Sequence, residues 1–161
     1  MQYDRDKAVA YAHQWAYRRN PQYYSFNGMG GDCTNFISQC LYAGCGVMNH
    51  TNDTGWYYYS VNDRAPAWSG VEFLYRFLTK NAKSGPYAME KPLSEAQRGD
   101  IVQLCFDGDT YGHTLFVVDV ADIFLFRNIL IATHSDDSDN RPLTSYSYQT
   151  CRLLHIEGVR D

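Results

Sequence analysis

The chain has no run of Lys or Arg, and its formal net charge is −4 with a pI near 5.7, so it lacks the electrostatic footprint of a nucleic-acid or anionic-membrane binder. No stretch approaches the roughly 18 apolar residues that span a bilayer. The opening MQYDRDKAVAYAHQW is charged and amphipathic and has no apolar centre of the kind a signal peptide carries. Internal repeats and low-complexity segments are also missing. Cys40 and Cys45 have four residues between them instead of the two of a zinc knuckle, and no second knuckle follows, so neither a structural metal nor a cofactor is expected. The acids Asp136, Asp137 and Asp139 lack the Asp-x-Asp-x-Asp-Gly frame and later Glu of an EF-hand loop.

The 161 residues suit one domain, 1–161, with aromatic residues at 16% and charged residues at 20%, a composition that folds. The five cysteines (33, 40, 45, 105 and 151) are odd in number, so one thiol stays free unless it bridges to another chain. Cys40, Cys45, Cys105 and Cys151 read as small buried hydrophobes.

Ala8, Ala12, Trp15 and Ala16 recur at helical spacing behind Asp4, predicting a helix over 5–19 that Asn20-Pro21 stops. After the Gly- and Tyr-rich loop 21–31, Asp32 opens a second helix with Phe36, Ile37, Cys40 and Leu41 on one stripe and Gly44 as its end. A third helix is expected at about 69–81. Residues 45–68 form a long aromatic loop, a candidate for substrate contact. From residue 100 the period changes: DIVQLCF, HTLFVVDV, NILIATHS, PLTSY and TCRLLHIE read as four or five antiparallel strands. Helices precede strands without alternating, which makes the class α+β.

Asp32-Cys33 stands where a Gly-rich loop enters a helix. Cys33 therefore falls in the first turn, where unpaired N–H groups and the helix dipole favour a thiolate and a backbone N–H could meet an oxyanion. A nucleophilic thiol needs a base that later acts as an acid, the role suited to His. His113 begins a strand after the turn DGDTYG, and His134 ends another. His13, His50 and His155 read as solvated or structural.

In this order, GGDCTNFISQCLYAG, RGDIVQL, GHTLFVVDV and IATHSDD resemble the NlpC-type cell-wall cysteine peptidases. They resemble more closely still the bacterial "putative amidase" domain family of that papain-like superfamily, with DCTNF-SQ around the cysteine and similarity along nearly the whole chain. The resemblance implies a papain-like core with N-terminal helices packed on a C-terminal antiparallel sheet. It makes Cys33 the nucleophile, His113 the base and acid, and His134 the group that orients His113, with Asp136, Asp137 and Asn140 as other orienters. A Tyr hydroxyl upstream of the cysteine is expected near the oxyanion, at Tyr24 or Tyr23. Trp56, Tyr57, Tyr58, Tyr59 and Trp68 could wall a peptide groove. The implied reaction cleaves an amide in a cell-wall peptide or peptidoglycan, through a thioester, outside the cytoplasm. Acyl transfer by the same residues, or a non-catalytic binding module for wall peptides, are the alternatives.

Overall fold

The computed structural model describes residues 2–123 and 126–161. The first helix, α1 (Arg5–Trp15), turns Ala8 and Ala12 fully inward, and the Asp4 carboxylate caps it by accepting from the Lys7 N–H at 3.1 Å. It ends before the expected residue 19 because other groups claim the Trp15 carbonyl. The Arg18 N–H and a ring nitrogen of His134 both donate to it.

The second helix, α2 (Asp32–Cys45), is buried on nearly every side, with twelve of its fourteen residues out of solvent, which makes it the central post of the fold. Gly31 precedes it at φ 88°, and a Cβ there would come within 2.9 Å of the Ser69 carbonyl oxygen, so the position needs glycine twice over. Gly44 does not end this helix as expected. It lies inside α2 at a close crossing, where a Cβ would stand 2.7 Å from both the Asp4 carbonyl oxygen and the Tyr3 ring, and Gly46 at φ 68° makes the left-handed cap instead.

The long loop folds into a two-stranded ribbon, β1 (Tyr58–Ser60) and β2 (Asp63–Arg64), followed by the short α3 (Pro66–Ser69) and then α4 (Val71–Lys80). No helix is long and apolar enough to cross a membrane among the described residues.

Six further strands form one antiparallel sheet: β3 (Gly85–Lys91), β4 (Ile101–Cys105), β5 (Tyr111–Ile123), β6 (Phe126–Thr133), β7 (Ser138–Pro142) and β8 (Thr150–Arg160). Their spatial order is β3-β8-β4-β5-β6-β7. The α+β class is as expected, with one strand more than the upper expectation. The unexpected strand, β3, opens on Gly-Pro and ends on Met-Glu-Lys, a pattern with neither apolar alternation nor β-branching. PLTSY is not a strand: only Pro142 belongs to β7, and Leu143–Ser145 is a 3-10 turn.

Strand alternation divides the core in two. Phe116, Val118, Ala132, Leu154 and Ile156 face the helices, whereas Val102, Leu104, Leu115, Val117, Ile129 and Ile131 face a smaller cluster closed by Leu143 and Ala96. β4 and β6 end, and β5, β7 and β8 begin, at one end of the sheet, and α2 starts against that end.

Candidate active site

Cys33 occupies the first turn of α2 and is 5% exposed. Its neighbour Thr34 meets Thr114 of β5, hydroxyl to hydroxyl, at 2.9 Å, which docks the helix start on the strand. The thiol lies 3.8 Å from the Thr34 hydroxyl, and the Thr114 backbone also favours its ionised form. Burial outweighs these contacts and pushes the thiol pKa above its ordinary value, and the Asp32 charge adds to the rise. The dipole argument favours a resting thiolate; burial leaves a neutral thiol, one that needs a base.

His113 precedes Thr114 on β5, pairs with Leu104 of β4 and is half-buried. Alternation sends Thr114 toward α2 and His113 to the other face, where its ring lies 6.0 Å from Tyr146 and 6.5 Å from Phe106. Burial lowers its pKa to about 4, the Arg141 charge adds to that shift, and Asp136 opposes it. The ring is therefore neutral at neutral pH. No hydrogen bond joins it to any of the described residues, Cys33 included. The other four histidines are all committed: His13 to Asp139, His50 to the Tyr59 hydroxyl, His155 to Asp100, and His134 to two partners.

His134 does not orient His113 as expected. It stands on the helical face of the sheet, stacked on Phe36 at 4.0 Å, with Nδ1 2.8 Å from Asp32 Oδ2 and Nε2 2.8 Å from the Trp15 carbonyl oxygen. The ring is thus held from both sides, by a carboxylate at Nδ1 and by a backbone carbonyl at Nε2. Burial alone would raise the Asp32 carboxyl pKa, but the His134 hydrogen bond, the Phe26 N–H and the His134 charge together hold it below its ordinary value. Arg19 Nε adds a charge 3.2 Å away. The pair ties the end of α1, the start of α2 and the end of β6 together, directly beneath the nucleophile candidate.

The other expected orienters divide similarly. Asp137 forms a two-pronged pair with Arg19, each contact 2.9 Å, while Asp136 stays exposed, 3.5 Å from Arg141 and within electrostatic reach of His113. Asn140 sits at φ 52° within β7, where the pairing with β6 shifts register, and its N–H donates to the Asp139 carboxylate at 2.9 Å. With Asp139 on His13, each acid of this loop faces a cation or a histidine, and no group of metal-ligating residues gathers among the described residues.

Trp56 and Trp68 do not wall a groove. Both are fully buried, 4.8 Å apart by ring centroids, and their indole N–H groups donate to Ser38 Oγ at 3.0 Å and Asn35 Oδ1 at 3.1 Å. They brace the inner side of α2. Tyr57 is buried as well, and Tyr59 is the exposed ring of that segment. Tyr23 stacks on Trp68 at 5.9 Å, and the hydroxyl of the exposed Tyr24 reaches Met29 Sδ at 3.7 Å. Among the cysteines all five are unpaired; Cys40, Cys45 and Cys105 are buried as expected, but Cys151 is only half-buried, beside Tyr148.

Tyr146 was not singled out by sequence. It follows the turn Leu143–Ser145, inside a segment whose β-branched and aromatic residues read as strand. Its hydroxyl is buried, with the Ser138 side chain as a hydrogen-bonding neighbour, and burial raises its pKa above the ordinary value. A cavity of about 610 Å³ between α4 and the loop before β1 has none of these residues in its lining.

The Thr34–Thr114 contact thus docks the helix start that carries the Cys33 thiol on β5, the strand that also carries the neutral, unbonded imidazole of His113. Comparison with known proteins shows the family. A model described as "Putative amidase domain" matches residues 2–156. An uncharacterized protein of Bacillus subtilis (strain 168), YhbB, is 37% identical over 121 residues, which is 73% of this chain. The chain spans 38% of that relative's length. No solved structure matches. With the family model running from the start of α1 through most of β8, the chain belongs to the putative amidase domain family.

Proposed function

We propose that the protein is a cysteine amidase of papain-like type: Cys33 attacks an amide carbonyl, His113 takes the thiol proton and returns it to the leaving amine, and water then hydrolyses the thioester. The observation that carries this reading is the state of the five histidines. Four are held by acceptors or a hydroxyl; His113 alone has both ring nitrogens free of the described residues, and it adjoins Thr114, whose backbone meets the Cys33 thiol. His134 then serves through Asp32, fixing the helix start that carries the thiol.

The substrate in this reading is an amide of a cell-wall peptide or peptidoglycan, which carries with it a location outside the cytoplasm or at the wall. The test is digestion of purified peptidoglycan, with new amine ends counted by mass spectrometry. Wild type releases them, Cys33→Ala releases none, and a thioester is trapped on Cys33. Equal release by Cys33→Ala overturns the reading. Added amines that capture most of the thioester would make the protein an acyltransferase instead.

A further inference from the structure

A line of polar side chains runs through the core from α4 to the nucleophile candidate. Arg152 of β8 lies between two rings, its guanidinium carbon 3.6 Å from the centre of Tyr75 and 3.9 Å from that of Tyr111, and it pairs with Glu72 at 2.9 Å. It donates twice to Gln103 Oε1 of β4, at 2.9 and 2.7 Å. Gln103 Nε2 donates to the Val71 carbonyl at 2.9 Å and, over a longer 3.5 Å, to the Thr114 hydroxyl. Thr114 meets Thr34 at 2.9 Å, and Thr34 meets the Cys33 sulfur at 3.8 Å. Gln103, Thr114 and Thr34 are fully buried, so each is satisfied by its neighbours in the line.

The line has a direction. A Gln103 amide turned over would set its oxygen against the Val71 carbonyl and its nitrogen against two Arg152 N–H groups, so Nε2 faces Thr114 as a donor only. Between these partners the Thr114 oxygen accepts from Gln103 and its single hydrogen goes to Thr34, which leaves the Thr34 hydrogen for sulfur. A neutral thiol can give a hydrogen bond or take one; a thiolate can only take one, and that is what the line supplies. As core alone, apolar residues of like shape would serve about as well.

We propose that Arg152 and Gln103 are positioning residues that act through Thr114 to turn the Thr34 hydroxyl toward Cys33, where it donates to the thiolate formed as His113 takes the proton. The inference rests on Cys33 being the nucleophile. In the step the S–H bond breaks, the proton passes to the imidazole and the electron pair stays on sulfur; Thr34 keeps its own proton and shares it with that sulfur. The dipoles of the line are aligned before the charge appears, so none has to reorganise when it does. Asp32 on the same helix, held by His134 and Arg19, opposes the thiolate, and on the sheet side His113 adjoins Thr114 and the Tyr146 phenol lies within electrostatic reach of the sulfur. The variants below alter none of these groups.

The test follows alkylation of Cys33 by iodoacetamide against pH, with the labelled peptide identified by mass spectrometry. Thr34→Val keeps the shape and removes the donor. Its profile should move to higher pH, with a rate about tenfold lower at a given pH on the rising limb. Thr34→Ser keeps the hydroxyl and should follow the wild-type profile. Gln103→Met leaves Thr114 without its fixed donor and should move the profile the same way by less, about threefold in rate. Loosened packing predicts the opposite sign, because burial is what raises the thiol pKa and greater exposure would move the profile to lower pH. A Thr34→Val profile that stays or moves to lower pH overturns the proposal. If Thr34→Val does not fold, Gln103→Met decides alone, and an unmoved or lowered profile overturns the proposal there too. Amine release from peptidoglycan that persists in Cys33→Ala removes the nucleophile and this inference with it, whereas Cys33-dependent release with an alkylation profile indifferent to Thr34 removes the inference alone.

Discussion

His134 and His113 sit at the same end of one sheet, on opposite faces, in opposite physical states. His134 is 1% exposed, stacked on Phe36, with each ring nitrogen held by a buried acceptor. His113 is half-buried, unbonded to the described residues, and kept from binding a proton by burial and by Arg141. A buried ring with both nitrogens hydrogen-bonded has one low-energy geometry and holds the elements it touches in register. An imidazole unbonded to the described residues, beside the Tyr146 ring, keeps both nitrogens open to a group from outside. The difference separates the residues that build the helix start from those available to react there.

The hardest blow to the His134 side is His134→Ala, which takes from the buried Asp32 carboxylate its shortest partner and leaves a cavity against Phe36. A loss of about 3–5 kcal/mol in urea denaturation is expected, and a loss under about 1 kcal/mol would show that the pair is not the strut described. On the other side, His113→Ala should lower the rate of Cys33 acylation by p-nitrophenyl acetate about 100-fold or more while leaving the denaturation midpoint near wild type. A midpoint that falls as far as that of His134→Ala would erase the contrast.

Acid should sharpen it further. The folded His113 binds its proton only near pH 4, the unfolded residue near 6.5. Between those values the unfolded chain holds more protons, so stability declines as pH falls through that window. His113→Phe should flatten this part of the stability profile, and a decline of unchanged slope would assign it to another group. The depressed Asp32 carboxyl contributes stability that is present above its ordinary range and disappears only at lower pH. The smallest effect expected is that of Arg141→Gln, which removes a positive charge near His113. The His113 ring resonance followed by NMR should titrate at higher pH than in wild type, with the His134 resonance unmoved. An unchanged His113 titration would place the cause of its low pKa in burial alone.

What sequence made legible was local. The Asp4 cap, the helix opening at Asp32-Cys33 and the strands that carry His113 and Thr133 follow from spacing and capping within a few residues of chain. Partner choice was not. His134 finds Asp32 across 102 positions, and nothing near IATHSDD distinguishes a histidine that will face Phe36 from one that will face His113. The aromatic loop misled for a related reason: large rings in a long loop are equally suited to a groove and to a core, and Trp56 and Trp68 take the core because Ser38 and Asn35 on α2 offer acceptors for their N–H groups. Tyr146 lay in a segment read as strand; its place beside His113 and under Arg141 shows only once the turn Leu143–Ser145 is seen.

The sheet order has a consequence for the life of the chain before it is a protein. β3 and β4 are neighbours in sequence but not in space, because β8 is laid between them, bonded to both. A nascent chain halted before residue 150 presents α2 and its thiol with a gap in the sheet meant to seat them, and two strands with open edges on either side of that gap. Synthesis therefore delays the site until its last strand emerges. In that interval the unfinished molecule depends on being kept away from its own copies, whose β8 could fill the gap as well as its own.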